Sequence, residues 1–201
     1  AAGFNFNTIW TIEGKPVSTF EFLKRNKLVS SAPQDHNLPY HIPGSDASGV
    51  VVKLGTNDTS WKIGDKVVIN CNWHRNNDSE IYNDSLLSNE QKIWGYETNF
   101  GSFAAYTLVK IHQLMPKPNL LNWFEAASYS LVLCTAYRML LTENGANIKP
   151  NENILIWGGA GGLGMSAIQL CKIIGANPIP IVSSDEKGEF LIKYFGVDNY
   201  I

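Results

Sequence analysis

The chain has 201 residues, a length that suits one or two domains. With 44% hydrophobic and 17% charged residues it can bury a packed core, which argues against intrinsic disorder. Sixteen basic and eighteen acidic residues give a formal net charge of −2, so no basic face is implied and nucleic acid is a poor partner. The apolar runs fall short of the roughly 20 residues that a membrane-spanning helix needs.

The cysteines Cys71, Cys134 and Cys171 are scattered and odd in number. They form neither a disulfide framework nor a zinc ribbon, and a reducing compartment, the cytoplasm, is the simpler expectation. No positively charged start followed by an apolar stretch marks a signal peptide. The opening Ala1-Ala2-Gly3 and the closing Asn199-Tyr200-Ile201 both read as cut ends, so a piece of a longer protein is expected.

No internal repeat is present. Residues 43–70 carry short β-branched runs, Val50-Val51-Val52 and Lys66-Val67-Val68-Ile69, separated by Gly, Asn and Asp. Such punctuation predicts short strands joined by tight turns. Residues 72–92 are polar and predict a loop with one short helical turn. From Gly101 to Leu114 the pattern returns to strand. After Pro116 and Pro118 the texture changes. Asn122 caps a helix at Trp123, with Glu125 in capping-box position. Residues 130–143 predict a second helix and 149–153 a turn. Ile154-Leu155-Ile156-Trp157 reads as a buried strand, residues 165–174 as a helix stopped by Gly175, and 178–182 as the next strand. Residues 190–195 predict a helix stopped by Gly196. A β-rich part therefore leads into a strand–helix–strand–helix part. The change falls near residues 118–130, and we divide the chain into domains of 1–122 and 123–201.

Between the strand at 154–157 and the helix that follows lie Gly158-Gly159-Ala160-Gly161-Gly162-Leu163-Gly164. Gly159, Gly161 and Gly164 fit G-x-G-x-x-G. The first glycine allows the tight turn, the second lets backbone approach a pyrophosphate, and the third lets helix and strand pack closely. The helix N-terminus offers unpaired N–H donors and partial positive charge to phosphate. The plain alternative is a glycine-rich turn without a ligand; the strand–loop–helix–strand context favours a dinucleotide. After the next strand come Ser183-Ser184-Asp185-Glu186-Lys187. Two hydroxyls and a lysine suit a 2′-phosphate and hence NADPH, whereas a carboxylate on the ribose would favour NAD. Ser184 with the acids after it also reads as a plain helix N-cap.

Gly44-Ser45-Asp46-Ala47-Ser48-Gly49-Val50-Val51 and Trp61-Lys62-Ile63-Gly64-Asp65-Lys66-Val67 resemble the medium-chain dehydrogenase/reductase superfamily. That resemblance implies an α/β chain in which a GroES-like β-rich catalytic domain joins a Rossmann-type doubly wound parallel sheet, with the active site in the cleft between them. Where its zinc enzymes carry a metal-binding Gly-His-Glu, this chain has Gly44-Ser45-Asp46, and the four-cysteine lobe is absent. Cys71-x-x-His74 offers two ligands without a third, so no metal is expected.

Several further segments are similar to the crotonyl-CoA carboxylase/reductase family: Asn5-Phe6-Asn7-Thr8-Ile9-Trp10, Leu38 to Asp46, Ile93-Trp94-Gly95-Tyr96-Glu97-Thr98 and Gln113 to Pro118. Thr135-Ala136-Tyr137-Arg138 and the glycine loop belong to the same series. The likeness runs along the whole chain in one order. It implies that NADPH delivers hydride to the β-carbon of an α,β-unsaturated acyl-CoA and that the enolate captures CO2 at the α-carbon, giving ethylmalonyl-CoA from crotonyl-CoA. It implies that Asn7 holds CO2, that Tyr96 and Glu97 shield and order the pocket, and that Thr135 touches the nicotinamide. It implies a homo-oligomer at full length. The glycine loop and the residues after the next strand place NADPH on Gly159, Ala160, Gly161, Gly162, Leu163, Gly164, Ser183, Ser184 and Lys187.

The chemistry suits these residue types. CO2 is neutral and weakly polar, and an Asn amide is a neutral donor to the oxygens on which charge builds. Water must be kept out, because a proton would quench the enolate. Glu97 among aromatic rings should have a raised pKa unless hydrogen-bonded. Plain alternatives stand beside each role: Asn5 and Asn7 holding a turn, Tyr96 packing, Glu97 in a solvated loop, Thr135 in helix packing. Two other functions remain open, a non-carboxylating enoyl-CoA reductase and a non-catalytic NADPH-binding protein of crystallin type.

Overall fold

The computed structural model describes residues 1–27, 38–55, 60–74, 85–88 and 90–201. They divide into two compact units, Ala1–Ser130 and Leu131–Ile201. None of the described helices is long and apolar enough to cross a membrane.

The first unit is built on a four-stranded antiparallel sheet in the order β1 (Ala2–Gly3), β2 (Asp46–Val50), β3 (Lys66–Ile69), β6 (Leu114–Pro116). Its register pairs Gly3 with Asp46, Ser48 with Val68, and Val68 with Met115. β-branched Val67, Val68 and Ile69 suit the pleat, and all three are buried. Ala47, Val51, Val67, Ile69 and the fully buried Trp94 form the core, with Trp61 and Leu114 packed against it. A separate ribbon pairs β4 (Asn72–Trp73) with β5 (Lys92–Ile93). Among the described residues between them is a short 3-10 turn, Ser85–Leu87. Residues 75–84 and 89 of the predicted polar excursion lie outside the described residues.

Two helices here went unpredicted, α1 (Phe6–Glu13) and α2 (Thr19–Lys27). The signal for α1 was local. Asn5 accepts from the Asn7 N–H as N-cap, and Gly14 closes the helix at φ 67°. The strand predicted for Gly101 to Leu114 is largely absent. Only Leu114–Pro116 is strand, preceded by a 3-10 turn at Ile111–Gln113. A strand persists through its ladder. Leu114–Pro116 pairs with β3, whereas residues 103–110 pair with no strand among the described residues and leave Phe103, Tyr106 and Leu108 exposed.

Asn122 caps α3 (Trp123–Ala126) as predicted. Its Oδ1 accepts from Phe124 and Glu125 N–H, and Glu125 Oε2 accepts from the Asn122 N–H at 2.8 Å. The helix is only one turn long and stays with the first unit, where Ser48 Oγ donates to the Trp123 carbonyl at 2.6 Å. The two compact units meet after Ser130.

The second unit begins within α4 (Ser130–Leu140) and continues as β7 (Asn153–Trp157), α5 (Gly162–Ile174), β8 (Asn177–Ile181) and α6 (Asp185–Phe195). β7 and β8 run parallel, Asn153 opposite Asn177 through Trp157 opposite Ile181, because α5 carries the chain back between them. On α5 the buried Gly164, Ala167, Ile168 and Cys171 follow the helical period. They meet Ile156, Leu191 and Val197 in the core. Gly175 and Gly196 stop α5 and α6 in left-handed conformation, as predicted.

Candidate functional site

In the second unit the glycine loop joins the end of β7 to α5. Gly158 takes φ +70°, where a side chain would be strained, so the tight turn belongs to Gly158 and not to Gly159. Close approach explains two others. A Cβ on Gly159 would lie 2.3 Å from the Pro180 Cβ, and one on Gly164 only 2.4 Å from the Gly158 carbonyl oxygen. Only glycine therefore lets the loop lie against β8 at Gly159 and the start of α5 lie against the loop at Gly164. Gly161 occupies the N-cap of α5 without any side chain to cap it. The first-turn N–H groups of α5 thus have no side-chain acceptor and offer an anion-binding end.

A cleft of about 410 Å3 opens at this loop, lined by Trp157, Gly158, Ala160, Gly161, Ile181, Val182, Ser183 and Lys187. Lys187 Nζ donates to Ser183 Oγ at 2.6 Å, which holds the ammonium at the end of β8. Ser184 sits at the N-cap of α6 with Asp185 and Glu186 in the first turn, as the N-cap reading expects, although its side chain makes no capping hydrogen bond. Asp185 is engaged elsewhere: the Tyr200 hydroxyl donates to its Oδ1 at 3.3 Å. The residues present therefore fit a dinucleotide: unpaired N–H groups for pyrophosphate, and a hydroxyl with an ammonium for a 2′-phosphate. Gly162 and Leu163 begin α5, and a Cβ on Gly162 would touch Val132 of α4 at 3.4 Å. Thr135 lies on that helix, exposed, with its hydroxyl bonded back to the Leu131 carbonyl at 2.7 Å. Trp157 and Val182 line the cleft without having been singled out; both adjoin the motif in sequence.

In the first unit, Asn7 stands in the first turn of α1, half-buried. Its backbone N–H donates to Asn5 Oδ1 at 3.1 Å, and its side-chain amide has no hydrogen-bond partner among the described residues. Asn5 Nδ2 donates to Asp46 Oδ2 at 3.0 Å. Ser45 and Asp46 are almost fully buried. Where zinc relatives carry His-Glu, this chain thus buries a hydroxyl and a carboxylate, and the carboxylate anchors the start of α1. Sequence reading noted Asp46 only as a departure from the metal motif.

Tyr96 and Glu97 follow β5 in a turn. Gly95 presses on the Gly44 carbonyl, and His41 Nε2 lies 3.2 Å from the Gly95 oxygen. The turn and α1 are therefore tied to the same segment, 41–46, with no direct hydrogen bond from Asn7 to Tyr96 or Glu97. Glu97 Oε2 accepts from the Ile93 N–H at 2.7 Å. Burial pushes its carboxyl above the ordinary value, while that N–H and the Lys92 charge pull against the rise. The expected exception for a hydrogen-bonded carboxylate does not hold, since one N–H falls short of the desolvation. The Tyr96 hydroxyl donates to the Lys15 carbonyl at 2.5 Å, just past the C-terminal end of α1 and so at the far end of that helix from Asn7. Thr19 Oγ1 donates to the Tyr96 carbonyl at 2.7 Å.

His74 stacks on His112 with ring centroids 4.0 Å apart. Among the described residues no group of three or more His, Cys, Asp or Glu side chains could hold a metal ion. None of Cys71, Cys134 and Cys171 forms a disulfide.

An antiparallel β unit followed in one chain by a parallel strand–helix–strand unit with a glycine-rich phosphate loop defines a GroES-like domain joined to a Rossmann-type domain. The alcohol dehydrogenase GroES-like domain model matches residues 3–119, more than half of the chain, and the chain belongs to that family. Its homologues include crotonyl-CoA reductases and carboxylase/reductases. The crotonyl-CoA reductase of Streptomyces avermitilis is 50% identical over 189 residues, 94% of this chain and 42% of that protein. The crotonyl-CoA carboxylase/reductase of Cereibacter sphaeroides is 47% identical over 193 residues, 96% of this chain and 42% of that protein. The 2-octenoyl-CoA carboxylase reductase CinF of a Streptomyces species, solved with NADP and 2-octenoyl-CoA, superposes with a TM-score of 0.93 at 43% identity. That match covers 100% of this chain and 45% of CinF. The chain spans less than half the length of these relatives.

Proposed function

We propose that the full-length protein is an NADPH-dependent carboxylating reductase of α,β-unsaturated acyl-CoA thioesters. It would convert crotonyl-CoA and CO2 to ethylmalonyl-CoA, and would act as a homo-oligomer. Likeness to the carboxylase/reductases supports the class. The observation that carries the carboxylating step is the side-chain amide of Asn7, a half-buried neutral donor with no hydrogen-bond partner among the described residues, on a helix turn fixed by its cap.

Bound NADPH supplies hydride to the β-carbon of the thioester. The first-turn N–H groups of α5 hold the pyrophosphate, and Lys187 with Ser183 holds the 2′-phosphate. The Asn7 amide donates to a CO2 oxygen, where negative charge builds as the enolate α-carbon bonds to the CO2 carbon. The Tyr96 ring excludes water that would protonate the enolate. Glu97, clasped to the Ile93 N–H, holds the turn that carries that ring.

The name crotonyl-CoA reductase, carried by the Streptomyces avermitilis relative, favours a second reading in which a proton replaces CO2. One assay separates the two: products from crotonyl-CoA, NADPH and saturating bicarbonate with carbonic anhydrase. Ethylmalonyl-CoA is expected from the full-length protein. Asn7→Leu, nearly isosteric but without a donor, should lose most of it while NADPH oxidation continues. A lost hydrogen bond to developing charge is worth about 3–4 kcal/mol, or ~10²–10³ in rate. Glu97→Gln should act in the same direction more weakly. An unchanged ratio of ethylmalonyl-CoA to butyryl-CoA in Asn7→Leu would remove Asn7 from the CO2 site.

A further inference from the structure

We infer that Asp46 is a positioning residue for CO2 capture, acting through Asn5 on Asn7; the inference rests on the reading of Asn7 given above. Asp46 opens β2, opposite Gly3 in the sheet, and its side chain is only 2% exposed. Its Oδ2 accepts from Asn5 Nδ2 at 3.0 Å, and Asn5 Oδ1 accepts from the Asn7 N–H at 3.1 Å. Both ends of the Asn5 amide are committed, so only one orientation works. Flipped, the amide would set its NH2 against the Asn7 N–H and its oxygen against a carboxylate. The bond to this buried side chain pins the first turn of α1 to the sheet, and with it the Cα from which the Asn7 side chain projects.

CO2 offers little to bind, so capture depends on where that single donor stands. A misplacement of about 1 Å can cost ~10²-fold in rate. Hydride delivery draws on other groups, the phosphate loop and Lys187 in the second unit. A loosened α1 should thus change the partition of the enolate and leave cofactor use alone. A purely structural cap would lower stability and leave the partition where it was.

The test exchanges the two side chains in the full-length protein at pH 8, through Asn5→Asp, Asp46→Asn and the double variant. Asn5→Asp sets two carboxylates against each other with no donor between them. Asp46→Asn keeps a weaker neutral acceptor. The double variant restores the bond with donor and acceptor reversed, and Asp caps a helix about as well as Asn. For Asn5→Asp the ratio of ethylmalonyl-CoA to butyryl-CoA should fall about tenfold or more, the scale of a charged hydrogen bond, with a raised KM for CO2. Asp46→Asn should fall less, and the double variant should return to within about threefold of wild type. The KM values for NADPH and crotonyl-CoA should stay within about twofold throughout. A wild-type ratio in Asn5→Asp overturns the inference. So does a double variant that regains its melting temperature without its ratio. If Asn5→Asp does not fold, Asp46→Asn and the double variant decide on the same two criteria. Asn7→Leu, run alongside, keeps the two ideas apart. If it shifts the ratio and Asn5→Asp does not, only the role of Asp46 fails; if it leaves the ratio unchanged, the reading of Asn7 itself fails.

Discussion

Lys187→Ala removes the one cation that, among the described residues, lines the cleft at the end of β8. In the structure its ammonium is held 2.6 Å from Ser183 Oγ, and Asp185, in the first turn of α6, accepts from the Tyr200 hydroxyl. Lys187 is exposed, so its contact with a phosphate is partly screened. A hydrogen bond to a charged group is worth ~1.5–3 kcal/mol when shielded, and an exposed ion pair only ~0.2–1 kcal/mol. An intermediate value of about 1–2 kcal/mol raises the Kd for NADPH about 5–30-fold. NADH lacks the 2′-phosphate and should bind within about twofold of wild type, since its other contacts remain. Fluorescence titration of the full-length protein with each reduced cofactor measures both constants, and the difference should shrink as salt rises. Equal losses for NADPH and NADH would refute the assignment and leave Lys187 a general anchor of α6.

Other outcomes follow from particular contacts. Tyr96→Phe keeps the ring and loses only the bond to the Lys15 carbonyl, so the product ratio should hold while stability drops by about 1 kcal/mol, read by chemical denaturation. The His112 imidazole, desolvated and beside His74 and Lys110, is lowered to about 4 from 6.5. Between those values the unfolded chain takes up a proton that the folded chain refuses, so His112 makes stability fall as pH drops from about 6.5 toward 4. The loss of melting temperature between pH 7 and pH 5 should shrink in His112→Asn; an unchanged slope would exclude His112 as its source. Chelator treatment should leave activity intact, because Ser45 and Asp46 stand where the zinc motif would be and Asp46 is bonded to Asn5. Stoichiometric zinc removed together with activity would contradict that.

Where each signal and its consequence lie within a few residues, the sequence by itself determined the structure. The run from β7 through α5 to β8 was legible because its strand, glycine loop, helix and stop are contiguous and each acts on its own backbone. The box of Asn122 and Glu125 was legible for the same reason. The fold class and the interest of Asn7, Tyr96 and Glu97 were also present in the sequence, though through resemblance to a family rather than through physics. Only the tertiary structure decided what depends on partners far along the chain. Residues 103–110 carry a strand-like pattern, but a strand exists only where a neighbour takes up its N–H and C=O groups. The Tyr96 hydroxyl is spoken for by a carbonyl 81 residues away, and Asn5 by a carboxylate 41 residues away. A composition rule cannot see such bonds, because whether a polar group is free or committed is set by which distant backbone folds against it. The same holds for the carboxyl of Glu97: its direction of shift comes from burial, which exists only once the chain has closed over it.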